Sequence, residues 1–196
     1  TGDAKLILCD GATLTINSTD NGIVQNDDNI LFSIYAQSSG SSMGKLEVNA
    51  KNAIDFNQVA IYGGQVIAKG INGIKAATNV TIKGAQVTAN GTNGIKADDI
   101  ILDWKQTSDY ICSSSFKGNV QIADGKSFDC GGQPISGTIT DNSQLKKKTL
   151  IPASTFAGGN NFVAISSDNG CWKITDSDTK VYVPTGRIVK NGDAYE

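Results

Sequence analysis

Histidine is absent from this 196-residue chain, and that one gap removes several chemistries. A Ser-His-Asp or Cys-His nucleophile cannot be assembled, and neither can a histidine-ligated zinc site. Arginine occurs once, at Arg187, so a clamp of several guanidinium groups on a phosphate or uronate is also excluded. Aromatics reach only 7% and methionine occurs once, so the core must come from Val, Ile, Leu and Ala. Three prolines against 22 glycines suit many turns and few fixed kinks. No apolar run approaches the roughly 20 residues of a membrane span, which argues against membrane insertion. A net charge of −2 leaves no dominant basic face and argues against a nucleic-acid partner. Thr1 opens no signal peptide, so the expectation is either a leader already removed or a cytosolic chain. The cysteines, Cys9, Cys112, Cys130 and Cys171, form no CxxC pair, so a zinc ribbon is not expected. The first expectation for them is small buried hydrophobes. Of the three possible pairings, a Cys112–Cys130 disulfide is the one to test first.

What the chain does have is a repeat. Val59, Ile61, Gly63, Val66 and Ala68 recur 21 residues later at Val80, Ile82, Gly84, Val87 and Ala89. Gly73 and Ile74 recur at Gly94 and Ile95, and Ile100 and Leu102 follow Val80 and Ile82 at a step of 20. Apolar alternation of period 2 inside units of about 20 residues predicts strands that stack unit on unit. The aligned inward pairs are Leu14/Ile16, Phe32/Ile34, Val59/Ile61, Val80/Ile82, Ile100/Leu102 and Val120/Ile122. No segment of helical period is long enough for a crossover helix, so a doubly wound α/β fold is excluded. Parallel strands joined by crossovers are right-handed almost always. The expected fold is therefore all-β: a right-handed parallel β-helix over residues 1–150, with coils of about 20–21 residues. Residues 151–196 are expected to form a C-terminal antiparallel β cap. Its strands are NFVAIS, CWKIT and KVYVP, covering an open end that would otherwise expose strand edges. LKKKTLIP, Leu145 to Pro152, reads as a solvated exit from the last coil, and Ser38 to Gly44 as a protruding loop.

Parity assigns the outward positions. Tyr62, Lys83 and Asp103 fall on one outer ladder, and Asp55, Lys75 and Lys96 on another. Lys83–Asp103 and Asp55–Lys75 would be cross-strand ion pairs, and Lys75 would lie over Lys96 as a like-charge step.

The motif order CDGATLTI, LFSIYAQSSGSSMGKLEV, VTIKGAQVTANGTNGIKA, DYICSSSFKGNVQIADGKSF resembles the β-helical repeat regions of secreted and surface-anchored proteins of gut anaerobic bacteria. The resemblance covers about residues 3–151. It departs from the pattern in a shorter Gly-rich array and at Ala85, where a second glycine is usual. More distantly, the chain is similar to carbohydrate-binding β-helix domains that share the pectate-lyase fold. The resemblance implies export, an extracellular or cell-surface setting with the signal peptide removed, and adhesion or glycan binding. Export in turn makes disulfides permissible.

No catalytic constellation can be placed, so the expected function is a non-enzymatic surface or secreted module of a larger protein. Its partners would be glycans or host and cell-surface macromolecules. Sugar recognition uses aromatic faces beside polar groups, which nominates Tyr62, Lys83, Trp104 and Tyr110, with Tyr35 also outward. Lys75 and Lys96 could attract an acidic glycan. Asp98, Asp99 and Asp103 are the candidate calcium ligands, and calcium is the one cofactor the chain suggests. Asp27-Asp28 and the Asp176-Ser177-Asp178 turn are weaker candidates for the same role. The alternatives are a structural spacer without ligand, and a pectate-lyase-like polysaccharide-degrading enzyme built on the carboxylates from Asp98 to Asp103.

Overall fold

In the computed structural model, residues 2–25 and 29–153 are described in full, and beyond them the backbone of three strands, 164–168, 171–175 and 180–183. The fold is all-β. Its strands run β1 (Ala4–Leu8), β2 (Thr13–Asn17), β3 (Asn21–Val24), β4 (Leu31–Ala36), β5 (Lys45–Asn49), β6 (Asn52–Ile61) and β7 (Gln65–Lys69). They continue as β8 (Asn72–Lys83), β9 (Gln86–Asn90), β10 (Asn93–Asp103), β11 (Tyr110–Ser113) and β12 (Phe116–Ile122). Short strands follow: β13 (Phe128–Cys130), β14 (Pro134–Ile135), β15 (Thr138–Ile139) and β16 (Thr149–Pro152). The last three are β17 (Ala164–Asp168), β18 (Cys171–Thr175) and β19 (Lys180–Val183).

The repeat decides the topology. Each unit gives one strand to a first sheet and the next strand to a second. The first sheet runs β1-β4-β6-β8-β10-β12-β15, with β3 also on β6; the second runs β2-β5-β7-β9-β11-β16-β13-β14. From β1 to β12 in the first sheet, and from β2 to β11 in the second, all neighbours are parallel. The registers are those of the sequence periods: Val59↔Val80 and Ile61↔Ile82, Ile100↔Val80 and Leu102↔Ile82, Val66↔Val87 and Ala68↔Ala89. The long strands break in the middle, with a register shift between Phe56 and Gln58 in β6 and between Lys96 and Asp99 in β10. The first half of β6 pairs with β3 and the second half with β4, so each full unit supplies three short segments. Like residues therefore lie above like residues. The buried positions are the inward parity of every segment, among them Ile34, Leu46, Ile54, Ile61, Ile74, Ile82, Ile95 and Leu102, all at 0% exposure. At roughly 1.5–3 kcal/mol for each fully buried aliphatic side chain, these stacks dominate the stability.

A second set of stacks is polar. Asn52 donates its side-chain amide to Asn21, Asn72 to Asn52, and Asn93 to Asn72, at 2.8, 2.6 and 2.6 Å. Asn49 donates likewise to Asn17, and Asn57 to Asn29. In every case the later residue donates to the earlier one. The ladder ends at Asn93, whose Oδ1 is buried and has no partner, because the next unit places Ser114 there and its hydroxyl donates to the Gly91 carbonyl. The turn beside this ladder is tight. A Cβ on Gly91, at φ +156°, would lie 2.0 Å from the Gly70 carbonyl oxygen, so only glycine fits.

Four expectations need correction. Leu14 and Ile16 do not stack on Phe32 and Ile34. They pair with Leu46 and Val48 in the second sheet, and it is Ala4 and Leu6 that meet Phe32 and Ile34. Each unit carries two similar apolar pairs, and the irregular spacing before Asn52 hides which pair belongs to which sheet. LKKKTLIP is no exit. A 3-10 turn, Asn142–Leu145, tucks Leu145 into the core, and β16 inserts antiparallel between β11 and β13 with Leu150 fully buried. Between them Lys146, Lys147, Lys148 and Thr149 are solvated. The stack is thereby closed by residues 128–153, with β15 also antiparallel on β12. The described body runs past residue 150 to Ala153, whose N–H bonds the Ser127 carbonyl. Third, Cys112 and Cys130 cannot pair: β16 lies between their strands, and Cys112 faces exposed Thr149 while Cys130 shares the inward side with Leu150. Cys9, Cys112 and Cys130 are free thiols; Cys130 is buried as expected, but Cys9 is exposed. Fourth, the loop from Ser38 to Gly44 does not protrude freely, since Ser42 accepts the Gly11 N–H and Ser38 donates to Asp10.

The C-terminal strands β17, β18 and β19 do form an antiparallel three-stranded sheet. Their expected capping role, and the Asp27-Asp28 and Asp176-Ser177-Asp178 sites, lie outside the described residues.

Candidate functional site

Outward parity on the first sheet brings Tyr35, Tyr62, Lys83 and Asp103 into one line. The registers Ile34↔Ile61 and Ile61↔Ile82 set Tyr35 beside Tyr62 and Tyr62 beside Lys83, and Asp103 pairs directly with Lys83. The two tyrosine rings stack at a centroid distance of 5.1 Å and 23° between planes. That spacing is little more than the distance between strands, so each ring covers one face of the other. Ile7, 63% exposed, continues the line on the far side of Tyr35. Lys83 Nζ lies 3.2 Å from Asp103 Oδ2.

Asp103 is not the exposed rung that parity predicts. It is only 7% exposed, with one oxygen accepting the Trp104 N–H and Lys83 covering the other. A residue outside the repeat completes the group. Lys105 Nζ donates to the Tyr62 carbonyl at 3.0 Å, after its stem crosses Gly84, where any Cβ would come within 2.5 Å of Lys105 Cδ. No sequence spacing signals this contact, since Lys105 reaches it from the 104–109 loop across an intervening strand. That loop is held by Asp109, 2% exposed, whose Oδ2 accepts the N–H groups of Lys105 and Gln106.

The nominated carbohydrate set is not one cluster. Tyr62 and Lys83 are neighbours. Trp104 packs against the core, with its indole N–H on the Ser127 carbonyl and Lys126 Nζ 3.9 Å from its ring centroid. Tyr110 sits in the second sheet, paired with Gln86. Tyr35, which sequence parity noticed, is the true companion of Tyr62.

The carboxylates are also dispersed. Asp98 and Asp99 lie at the bulge of β10 rather than in a turn, and both are exposed. Asp99 accepts the Asn119 amide at 3.1 Å. Asp103 is four residues further along the same strand, about 13 Å away, and is held by Lys83. Among the described residues no group of three His, Cys, Asp or Glu side chains is placed to hold a metal.

The second outer ladder is as expected and longer. Asp55 pairs with Lys75 at 2.8 Å, Lys75 is followed by Lys96, and Lys96 by Lys117. The recurrence 96 to 117 is itself a step of 21 and was readable in the sequence. A third charge group lies on the second sheet, where Glu47 bridges Lys45 at 3.1 Å and Lys69 at 3.3 Å. Hydrogen bonds from Lys45 and then Lys69, with their charges, hold the Glu47 carboxyl below its ordinary value. Burial pushes the Cys130 thiol up.

Among the described residues no helix is long and apolar enough to cross a membrane. No family model, curated protein or solved structure matches this chain.

Proposed function

We propose that the chain is a right-handed parallel β-helix, part of a secreted or cell-surface protein, that binds glycans without transforming them. Handedness follows from the strong preference of parallel crossovers. The observation that carries the function is the outer ladder Tyr35–Tyr62–Lys83–Asp103, where stacked rings adjoin an ion pair on a parallel sheet. Ring edges and hydroxyls beside a fixed charge suit a sugar chain lying along the stack, since its hydroxyls meet a hydrogen-bonding group at every strand spacing. Lys96 and Lys117, exposed on the neighbouring ladder, favour an acidic glycan. The resemblance to surface-anchored β-helical repeats points the same way.

A glycan array probed with the full chain, with and without calcium, tests the proposal. The expected result is calcium-independent binding of one class of acidic oligosaccharide, weakened about tenfold by Tyr62→Ala, the loss of roughly one aromatic contact. Silence across the array would leave the spacer reading, in which the tyrosine stack only ties strands together.

A further inference from the structure

The two ends of the stack are built differently. At one end β15 and β16 lie antiparallel on the last units, and Leu145 and Leu150 are sealed at 0% exposure. At the other, β1, β2 and β3 each have an edge without a strand partner among the described residues. Together these edges trace one full turn of the chain. Apart from Leu8, 4% exposed, the side chains they carry into the core are incompletely covered. Leu6, Ile16 and Ile23 are half-buried and Leu14 is 41% exposed, while the residues directly beneath them, Ile34, Val48, Ile54 and Leu46, are all at 0%. The strands' own residues do not blunt them: β1 reads AKLIL and β2 TLTIN, with no proline and Lys5 as the one charge. The asparagine ladders stop here too. Asn17 and Asn21 accept from the unit below, and their own amide N–H groups have no acceptor among the described residues.

We propose that this open end is a docking edge for one further parallel coil of the same kind, with apolar side chains over Leu6, Leu14, Ile16 and Ile23. The inference rests on the stacked-coil reading of the fold and is independent of glycan binding. The asparagine polarity selects the occupant. A parallel coil arrives with acceptors above Asn17 and Asn21, repeating the donation seen at every lower step. A second copy docking tail to head is blocked by its own antiparallel closure. A second copy docking end to end by a two-fold axis would set the Asn21 donor against the same donor. The edge therefore fits β-augmentation by a repeat segment rather than self-association.

The test uses the full chain and a synthetic peptide copying residues 79–99, one complete coil whose segments follow the chain order of β1, β2 and β3 and bring Asn93 over Asn21. Hydrogen exchange is followed by mass spectrometry in segments 4–8, 13–17 and 21–24. With the peptide, exchange in these segments should slow about tenfold or more, with a stoichiometry of one, and Leu14→Asp should abolish the effect. No slowing at millimolar peptide overturns the proposal, and so does full protection in the free chain. Sedimentation then identifies a second copy as the occupant if the free chain is a dimer, or the chain's own residues if it is a monomer. The same coil fused ahead of Ala4 is a second measure and should raise the thermal midpoint; an unchanged or lower midpoint counts against docking. Failure of the fold reading would look different, as fast exchange in β8 and β10 themselves.

Discussion

Asn72 stands in the middle of an amide ladder, donating to Asn52 and accepting from Asn93. Asn93 stands at its end with one oxygen already unmatched. Removing Asn72 orphans two half-buried groups, so Asn72→Ala should cost about 1–3 kcal/mol. Asn93→Ala deletes one bond and one already unsatisfied oxygen, and should cost about 1 kcal/mol or less. Urea unfolding of the two variants checks the order. The ladder is legible in the sequence as the triplets Asn21-Gly22-Ile23, Asn52-Ala53-Ile54, Asn72-Gly73-Ile74 and Asn93-Gly94-Ile95, in which asparagine recurs with the same steps as the isoleucine. The cysteines give a second residue-scale prediction. Cys9 is exposed, whereas burial disfavours the Cys130 thiolate. Iodoacetamide near pH 8 should label Cys9 within minutes and Cys130 only after unfolding, as read by peptide mass spectrometry.

Among the elements, β5 carries the charge cluster most open to titration. Glu47 bridges Lys45 within its own strand and Lys69 on β7. Its folded-state value lies below the ordinary 4.5 because both lysines favour the carboxylate. The stabilisation is therefore present above the ordinary value and is lost as pH falls through the lowered one. Urea midpoints should drop between about pH 5 and pH 3 more steeply for the native chain than for Glu47→Gln, and the difference should shrink in high salt. Elements also mark where sequence reasoning stopped. In β6, β8, β10 and β12 the alternation and the 20–21 step placed the inward pairs Val59/Ile61, Val80/Ile82, Ile100/Leu102 and Val120/Ile122. The closing strands could not be read that way, because β16 joins its sheet antiparallel and out of chain order. A Lys-rich stretch before a proline looks the same whether the chain leaves the sheet or turns back into it.

At the scale of the molecule, stacked units interact chiefly with their neighbours, so whole units should be removable. Deleting residues 72–92 brings β10 onto β6 and β11 onto β7, with Asn93 over Asn52 and Ile95 over Ile54. The shortened chain should keep its β-type circular dichroism and unfold cooperatively at a lower temperature. Deleting 72–91 instead, one residue fewer, breaks the register at the Asn ladder and should give a poorly cooperative transition.

The sequence by itself determined the strands of the central units, their parallel stacking, their inward residues and two outer ladders. Those follow from period and parity, which are local properties of a chain whose units pack on their nearest neighbours. Tertiary structure alone decided what crosses the repeat. It placed Leu14 and Ile16 in the second sheet, separated Cys112 from Cys130 by β16, covered Asp103 with Lys83 and the Trp104 N–H, and brought Lys105 over Gly84 to Tyr62. Among the described residues it also left one end sealed and the other open. The physical reason is common to all of these: each depends on loop path or strand order, and neither leaves a periodic mark in the residues.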